Sequence, residues 1–241
     1  MTEAILPAPE QPPQARLDWK DLALGAAILV AMMGLLVVAI VVVLLTGFLT
    51  PGSFEDGTIL PALIGYQTLV FIAAAIAPVL RHRTPVVVGL RAASWRSLVA
   101  AAGIGFVMRG LVILALVGVT SAGVEIGNPQ EDLLLASLGP LGPFLLLLLT
   151  GAVLTAIGEE LLFRGVMFGW LRTHWAFWPA ALASSLVFGL FHGINIVMPA
   201  AFAIGLVCAY LYERTRSIWP AVVVHLTNNL LVFVAARLLA G

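Results

Sequence analysis

The sequence has few charged residues. Asp, Glu, Lys and Arg make up 10% of its 241 residues, and hydrophobic residues make up 61%. A soluble domain carries about 25% charged residues, so the composition predicts a polytopic membrane protein. The formal net charge is +0, and without an excess of positive charge a nucleic acid partner is not expected.

Cysteine is almost absent as well. The single Cys208 excludes an intrachain disulfide and a cysteine-rich metal site, and its apolar surroundings predict an inert, packed thiol. The sequence also lacks an internal repeat and any sign of a second domain. Residues 1–20 are rich in proline and polar residues without the pattern of a cleaved signal, so they are predicted to be a disordered cytoplasmic tail. Residues 21–241 are predicted to form one transmembrane domain.

Long apolar runs are what the sequence does contain. Because only helices satisfy their own backbone in lipid, seven such runs predict an all-α membrane bundle of about seven transmembrane helices. Ser94 is a suitable N-cap for the third helix. The predicted helices cover about Leu22–Leu49, Ile59–Leu80, Trp95–Val119, Pro140–Glu160, Phe177–Gly193, Val197–Tyr212 and Ile218–Leu239.

The charged residues outside these runs predict the orientation of the chain. One side of a seven-span arrangement collects basic residues: Arg16, Lys20, Arg81, Arg83, Arg91, Arg96, Arg172, Arg214 and Arg216. The other side collects acidic residues: Glu55, Asp56, Glu125, Glu131 and Asp132. The positive-inside rule then predicts a cytoplasmic N-terminus and an external C-terminus, in the plasma membrane of a prokaryote. Arg237, near the external end, does not fit this pattern.

Two adjacent carboxylates and an arginine interrupt the fourth apolar run. Each charge at membrane depth costs about 2.5–3.5 kcal/mol on insertion scales, so such residues usually mark a site. Glu160 and Arg164 are spaced i,i+4 and are predicted to pair on one helix face. Glu159 points about 100° away and has no cation at helical spacing. A buried ion network that only locks helices together would explain Glu160 and Arg164, but not Glu159.

Two later runs carry further polar residues. In the fifth, His192 shares a helix face with Phe188, and in the seventh His225 and Asn229 are spaced i,i+4. A single membrane histidine is more often a hydrogen-bonded clamp, but three polar clusters on three helices favour a shared site. A hairpin of the fourth and fifth helices would place Glu159 and His192 at the same height.

The expected depths of these residues agree only under one condition. At 1.5 Å per residue, His225 would lie about 10 Å below the basic loop at residues 214–217. Glu159 and His192 would lie about 24 Å below the turn at Thr173. The two depths match only if residues 164–174 extend out of the bilayer or lie along its surface.

The polar residues permit hydrolysis by activated water. Burial raises the pKa of a carboxyl group, so Glu159 could act as a general base near neutral pH with His192 as its partner. His225 and Asn229 could donate hydrogen bonds to a developing oxyanion. There is no obvious serine or cysteine nucleophile. Zinc held by Glu159, His192 and His225 is the alternative, although the sequence has no HExxH pair.

Three motifs follow one another on successive helices: Glu159-Glu160-x-x-x-Arg164, Phe188-x-x-x-His192 and His225-x-x-x-Asn229. In this order they resemble the CPBP family of CAAX-prenyl-protease and bacteriocin-processing enzymes, also called Abi or Rce1-like intramembrane proteases. The resemblance covers about residues 141–239, which would form the catalytic core.

The resemblance implies a role for each motif residue. Glu159 and His192 would activate water, and His225 and Asn229 would form the oxyanion hole. Glu160, Arg164 and Phe188 would support them. The family has been described both as metalloproteases and as metal-independent glutamate proteases. The second description is favoured here, so no cofactor is expected, with zinc as the alternative.

The implied partner is a peptide or protein substrate, with prenylated and membrane-associated chains as candidates, besides the lipid bilayer itself. A different class of protein could use the same polar residues. A non-catalytic scaffold would use them for helix packing, and a transporter for proton relay. The absence of inverted repeats and of paired helices broken by Gly or Pro counts against a transporter.

Overall fold

The computed structural model describes residues 16–47, 57–124 and 131–240, with side chains to residue 238. Residues 1–15 of the predicted tail, and the predicted external residues Glu55, Asp56 and Glu125, lie outside the described residues. The described chain is helical and contains no strand. Its helices are α1 (Trp19–Thr46), α2 (Ile59–His82), α3 (Trp95–Ser121), α4 (Glu131–Ser137), α5 (Leu141–His174), α6 (Phe177–Phe191), α7 (Val197–Thr215) and α8 (Trp219–Ala240).

The predicted all-α membrane bundle is confirmed. Six helices are long and apolar enough to cross a membrane: α1, α2, α3, α5, α7 and α8. The remaining predicted span, α6, is apolar but has only 15 residues. The chain is therefore a multi-pass integral membrane protein. Ser94 caps α3 as predicted, because its hydroxyl accepts a hydrogen bond from the Ser97 amide at 3.2 Å.

Helix α5 is longer and less regular than predicted. It continues past Glu160 to His174, and its 34 residues include two π-helical stretches, Leu148–Leu154 and Leu161–Phe168. These stretches flank a regular segment, Thr155–Glu160, that carries the two adjacent acids. Short π-helical turns inside α-helices occur frequently at functional sites, and no local sequence signal predicted them here.

The short helix α4 was not predicted. Its first turn contains Glu131 and Asp132, which the charge pattern assigned to a loop. Acidic residues in a first turn complement the helix dipole. At the other end of α4, Arg237 of α8 donates hydrogen bonds to the carbonyls of Ser137 and Gly139, each at 2.9 Å. Arg237 therefore has a structural role that explains its place beside the acidic side of the bundle.

Glycines allow the elements of the bundle to approach closely. A Cβ on Gly105 of α3 would lie 2.7 Å from the Val224 carbonyl oxygen of α8. Gly189 of α6 similarly approaches the Met198 carbonyl of α7. Gly165 also makes a close contact, but with a 3₁₀ turn at Pro85–Val88 rather than with another helix.

A group of four ionisable residues joins the start of α1 to the end of α2. This boundary cluster consists of Asp18, Asp21, Arg81 and His82. Asp18 and Asp21 form a capping box at the start of α1. Arg81 holds Asp18 through two hydrogen bonds of 2.8 and 2.7 Å and Asp21 through a third of 2.8 Å. His82 approaches Asp21 at 2.9 Å.

Candidate active site

The predicted pair of Glu160 and Arg164 is present at the centre of the bundle. Arg164 donates from Nη1 to Glu160 Oε1 at 3.1 Å, and both side chains are buried. The same carboxylate oxygen lies 3.0 Å from Nδ1 of His225 on α8. Because a carboxylate oxygen only accepts, His225 donates here through Nδ1. This bond was not predicted, and it ties α5 to α8.

Glu159 lies beside this pair, on the side that faces a cavity in the bundle. Its Oε2 atom is 3.7 Å from His225 Nε2, too far for a hydrogen bond, and has no other hydrogen-bond partner. We refer to Glu159, Glu160, Arg164 and His225 together as the central cluster. Its contacts agree with the sequence-based distinction between one acid paired within its helix and one acid without such a partner.

His192 follows the last residue of α6, at the turn into α7. Its Nδ1 atom lies 2.9 Å from the Phe188 carbonyl oxygen. A carbonyl oxygen accepts, so Nδ1 carries the proton and Nε2 is the acceptor in the neutral ring. Asn195 fixes the turn, because its amide donates to the His192 carbonyl at 2.7 Å and its side-chain oxygen accepts from the Val197 amide at 2.8 Å.

Phe188 lies between the two histidines. Its ring centroid is 4.9 Å from that of His192 and 5.7 Å from that of His225. The guanidinium carbon of Arg164 lies 4.3 Å from the same centroid, in a cation–π contact. Phe188 therefore contacts residues of all three motifs.

Asn229 contacts the first π-helical stretch of α5. Its side-chain amide donates to the Gly151 carbonyl at 3.2 Å, and its oxygen accepts from Asn228 at 3.1 Å. Each side-chain amide carries two hydrogens, so Asn229 retains a second donor. The Asn228 oxygen is buried and has no hydrogen-bond partner.

One cavity of about 520 Å³ brings the three motifs together. Glu159, Phe188, His192, His225 and Asn229 all line it, while Glu160 and Arg164 lie behind its wall. Glu159 and His225 lie side by side, at the same level of the bundle. Glu159 is 15 residues before the end of α5, whereas His225 is only 6 residues after the start of α8. The end of α5 must therefore extend well beyond the level at which α8 begins. The longer end of α5 accounts for the difference between the two expected depths, and the position of residues 164–174 relative to the bilayer stays a prediction.

Several other polar residues of the cavity wall were not predicted as site residues. They are Gln67, Thr68, Arg109, Thr120, Thr155 and Asn228. The sequence does contain a signal for Arg109, because a charged residue near the middle of an apolar run is as unusual at this position as at Glu159. The others are polar but uncharged, and their spacing alone does not single them out.

The zinc alternative needs three suitably placed ligands. Among the residues that the structure describes, no group of three His, Cys, Asp or Glu side chains is arranged to hold a metal ion. His192 and His225 each have one ring nitrogen in a hydrogen bond, with Phe188 and Glu160 respectively. We therefore derive no catalytic step through a metal.

Comparison with known sequences shows that part of this chain is similar to a family. The family model described as type II CAAX prenyl endopeptidase Rce1-like matches residues 141–231, which include all three motifs. The resemblance to the Rce1-like family is confirmed over these residues. Helices α1–α3 lie outside the matched segment, and no solved structure matches the chain.

A curated protein of Bacillus subtilis (strain 168), "Putative membrane peptidase YdiL", is also similar. It is 34% identical over 89 residues, which are 37% of this chain. The match covers 36% of the length of that relative, so the chain matches about a third of it.

Proposed function

We propose that the chain is an intramembrane endopeptidase that hydrolyses a peptide bond with water activated inside the bundle. The observation that carries this proposal is the cavity in which Glu159, His192, His225 and Asn229 meet among apolar helices. The matched Rce1-like segment, which contains all four residues, supports the same chemistry. The substrate would be a peptide or protein that reaches the bilayer, with prenylated chains as one candidate class.

In the proposed reaction, Glu159 takes a proton from a water molecule whose position His192 Nε2 fixes. The water oxygen attacks the peptide carbonyl carbon, and the carbonyl oxygen takes up negative charge. The C–N bond then breaks as Glu159 returns the proton to the leaving nitrogen. The unpaired Oε2 of Glu159 supports this role, because a general base needs a free acceptor within reach of its proton.

His225 and Asn229 would stabilise the oxyanion. Since Nδ1 of His225 donates to Glu160, His225 can donate to an oxyanion only through a protonated Nε2. The carboxylate of Glu160 orients the ring through this bond to Nδ1, in the way that a buried acid orients the histidine of a serine protease. Glu160 and Arg164 thereby act as positioning residues. Loss of one oxyanion donor costs about 2.7–4 kcal/mol in a well-studied protease.

Cleavage of a peptide library by the purified protein tests the proposal. Wild type and Glu159→Ala would be compared in detergent micelles, with products identified by mass spectrometry. We expect cleavage at a defined set of bonds by wild type and none by the variant. If both proteins release the same products, a contaminating protease is at work; if neither cleaves any peptide, the proposal loses its support.

The same assay separates the glutamate mechanism from the zinc alternative. With Glu159 as a direct base, activity should survive exhaustive treatment with a strong chelator, and zinc should not copurify in stoichiometric amounts. Activity that disappears with the chelator and returns with added zinc would favour Glu159, His192 and His225 as ligands.

We infer that the N-terminus is cytoplasmic, on the basic side of the bundle. Single cysteines at the segments 81–96 and 214–217 should then react with a membrane-impermeant reagent from the cytoplasmic side. Native Cys208 is buried and should contribute little background. Labelling of Glu131→Cys from the same side would overturn this orientation.

A further inference from the structure

Arg109 is an arginine in the middle of a transmembrane helix. It lies 14 residues after the start of α3 and 12 before its end, so about 21 and 18 Å of helix separate it from the two ends at 1.5 Å per residue. The hydrocarbon core of a bilayer is about 30 Å thick. Lipid phosphates therefore lie too far away to be its usual partner.

Within the described residues, Arg109 has no partner of opposite charge. Its Nε atom is buried without a hydrogen bond, and no hydrogen bond or ion pair joins its side chain to any residue in the described ranges. Two other arginines in the membrane-spanning helices have partners, since Arg164 donates to Glu160 and Arg237 donates to two backbone carbonyls. Intramembrane cations normally find such partners, so an unpaired one marks a place for an anion from outside the chain.

The side chain lines the cavity that contains Glu159, His192 and His225. Although Glu159 borders the same space, it does not approach Arg109 closely enough to form an ion pair. Phe71 and Phe191 also line this cavity, so much of the remaining wall is apolar. A ligand that fills the cavity would thus meet an apolar surface, one cation and the proposed catalytic residues.

We propose that Arg109 binds a carboxylate of the peptide substrate and so determines which peptide bond reaches Glu159. The inference rests on the proposed peptidase function and adds a specificity-determining residue from α3, outside the segment that matches the family. A guanidinium group suits this task because its fork of donors holds a carboxylate through two parallel hydrogen bonds. The carboxylate could be the C-terminus of the peptide or the side chain of an Asp or Glu residue.

Matched peptides distinguish these two sources. Starting from a peptide that wild type cleaves, one analogue carries a C-terminal amide and another has its Asp or Glu residues replaced by Asn or Gln. We expect the kcat/KM of wild type to be lower by about tenfold or more with one of the two analogues. This is the effect expected from the loss of one charge-assisted hydrogen bond. Arg109→Gln should cleave that analogue and the parent peptide at similar rates, and Arg109→Lys should keep part of the preference.

Arg96→Gln, in the first turn of the same helix and outside the cavity wall, is the matched control. It should retain the wild-type preference for the carboxylate. A wild-type enzyme that cleaves the parent peptide and both analogues equally would overturn the proposal. An Arg109→Gln variant that slows all three peptides by the same factor would also overturn it, because that result indicates a packing role.

A binding measurement separates this inference from the proposed catalysis. N-myristoylglycine and its amide, two probes that differ only in the carboxylate, would be added to Glu159→Gln protein in detergent, and the thermal midpoint followed. The acid should raise the midpoint more than the amide, and Arg109→Gln in the same background should abolish the difference. Equal shifts with both probes would contradict the inference, whether or not the wild-type protein cleaves peptides.

Discussion

The boundary cluster and the central cluster have the same composition, with two acids, one arginine and one histidine. In the boundary cluster every charged side chain has a partner at 2.7–2.9 Å. In the central cluster the Oε2 atoms of both glutamates, and Nε and Nη2 of Arg164, are buried without a hydrogen bond. Composition alone therefore does not distinguish a structural clamp from a candidate active site. The two are distinguished by buried polar atoms that lie beside a cavity and have no hydrogen bond.

The largest expected effect concerns the acid that the central cluster leaves unpaired. Glu159→Gln should reduce cleavage by about 10²–10⁴-fold, the usual contribution of a general base. Its stability should stay the same or rise slightly, because the substitution relieves the cost of burying an unpaired carboxyl group. Cleavage rates and thermal midpoints in detergent would test both points. An active Glu159→Gln protein would remove Glu159 from the mechanism.

Glu160→Gln tests the paired acid of the same cluster. Loss of this carboxylate leaves Arg164 buried without its counter-charge, and breaking such a pair costs about 3–5 kcal/mol. We expect lower stability together with lower activity, measured by denaturation in detergent. If Glu160→Gln folds normally but is inactive while Glu159→Gln stays active, the two roles are reversed.

The control for this comparison is Glu213→Gln. Glu213 pairs with Arg172 at 2.9 Å near the ends of α7 and α5, where both side chains are partly exposed. Exposed pairs contribute about 0–1 kcal/mol, so this variant should change stability much less than Glu160→Gln.

The smallest expected effect belongs to the boundary cluster. Hydrogen bonding from Arg81 lowers the pKa of Asp18 from 3.8 to about 2. A carboxyl group whose pKa is lower in the folded state stabilises the fold at pH values above its pKa in the unfolded state. This stabilisation is lost as the pH falls from about 4 towards 2. Asp18→Asn keeps a good N-cap but removes the charge. The difference in thermal midpoint between wild type and Asp18→Asn should be small at pH 7 and should vanish near pH 2.

Much of this architecture could be predicted from the sequence. The places of the seven apolar helices follow from hydrophobic runs and from caps such as Ser94, both of which are local signals, although α5 extends beyond its predicted end. The pairing of Glu160 with Arg164 follows from helical spacing, and it is confirmed. Residues from each of the three motifs line one cavity, and Glu159 and His192 are among them, as the hairpin argument predicted.

What the sequence did not predict depends on contacts between distant segments. The π-helical stretch Leu148–Leu154 contains the Gly151 carbonyl that Asn229 binds from α8, 78 residues away. At the end of α4, the carbonyls of Ser137 and Gly139 accept hydrogen bonds from Arg237, which lies about 100 residues later in the sequence. Neither partner is visible in a local window of sequence. Arg109 carries a local signal as a charge inside an apolar run, but its place beside the cavity also depends on contacts between distant segments.

The shortness of α6 has a consequence for the supply of water. Its 15 residues cover about 22 Å, some 8 Å less than the hydrocarbon thickness of a bilayer. If α6 begins at one surface of the hydrocarbon, the non-helical turn at residues 192–196 lies within hydrocarbon depth, where irregular backbone is tolerated only inside protein or beside water. A bilayer adapts to such a short element by thinning locally. Thinning at this turn would shorten the path from bulk solvent to His192, and each hydrolysed bond consumes one water molecule.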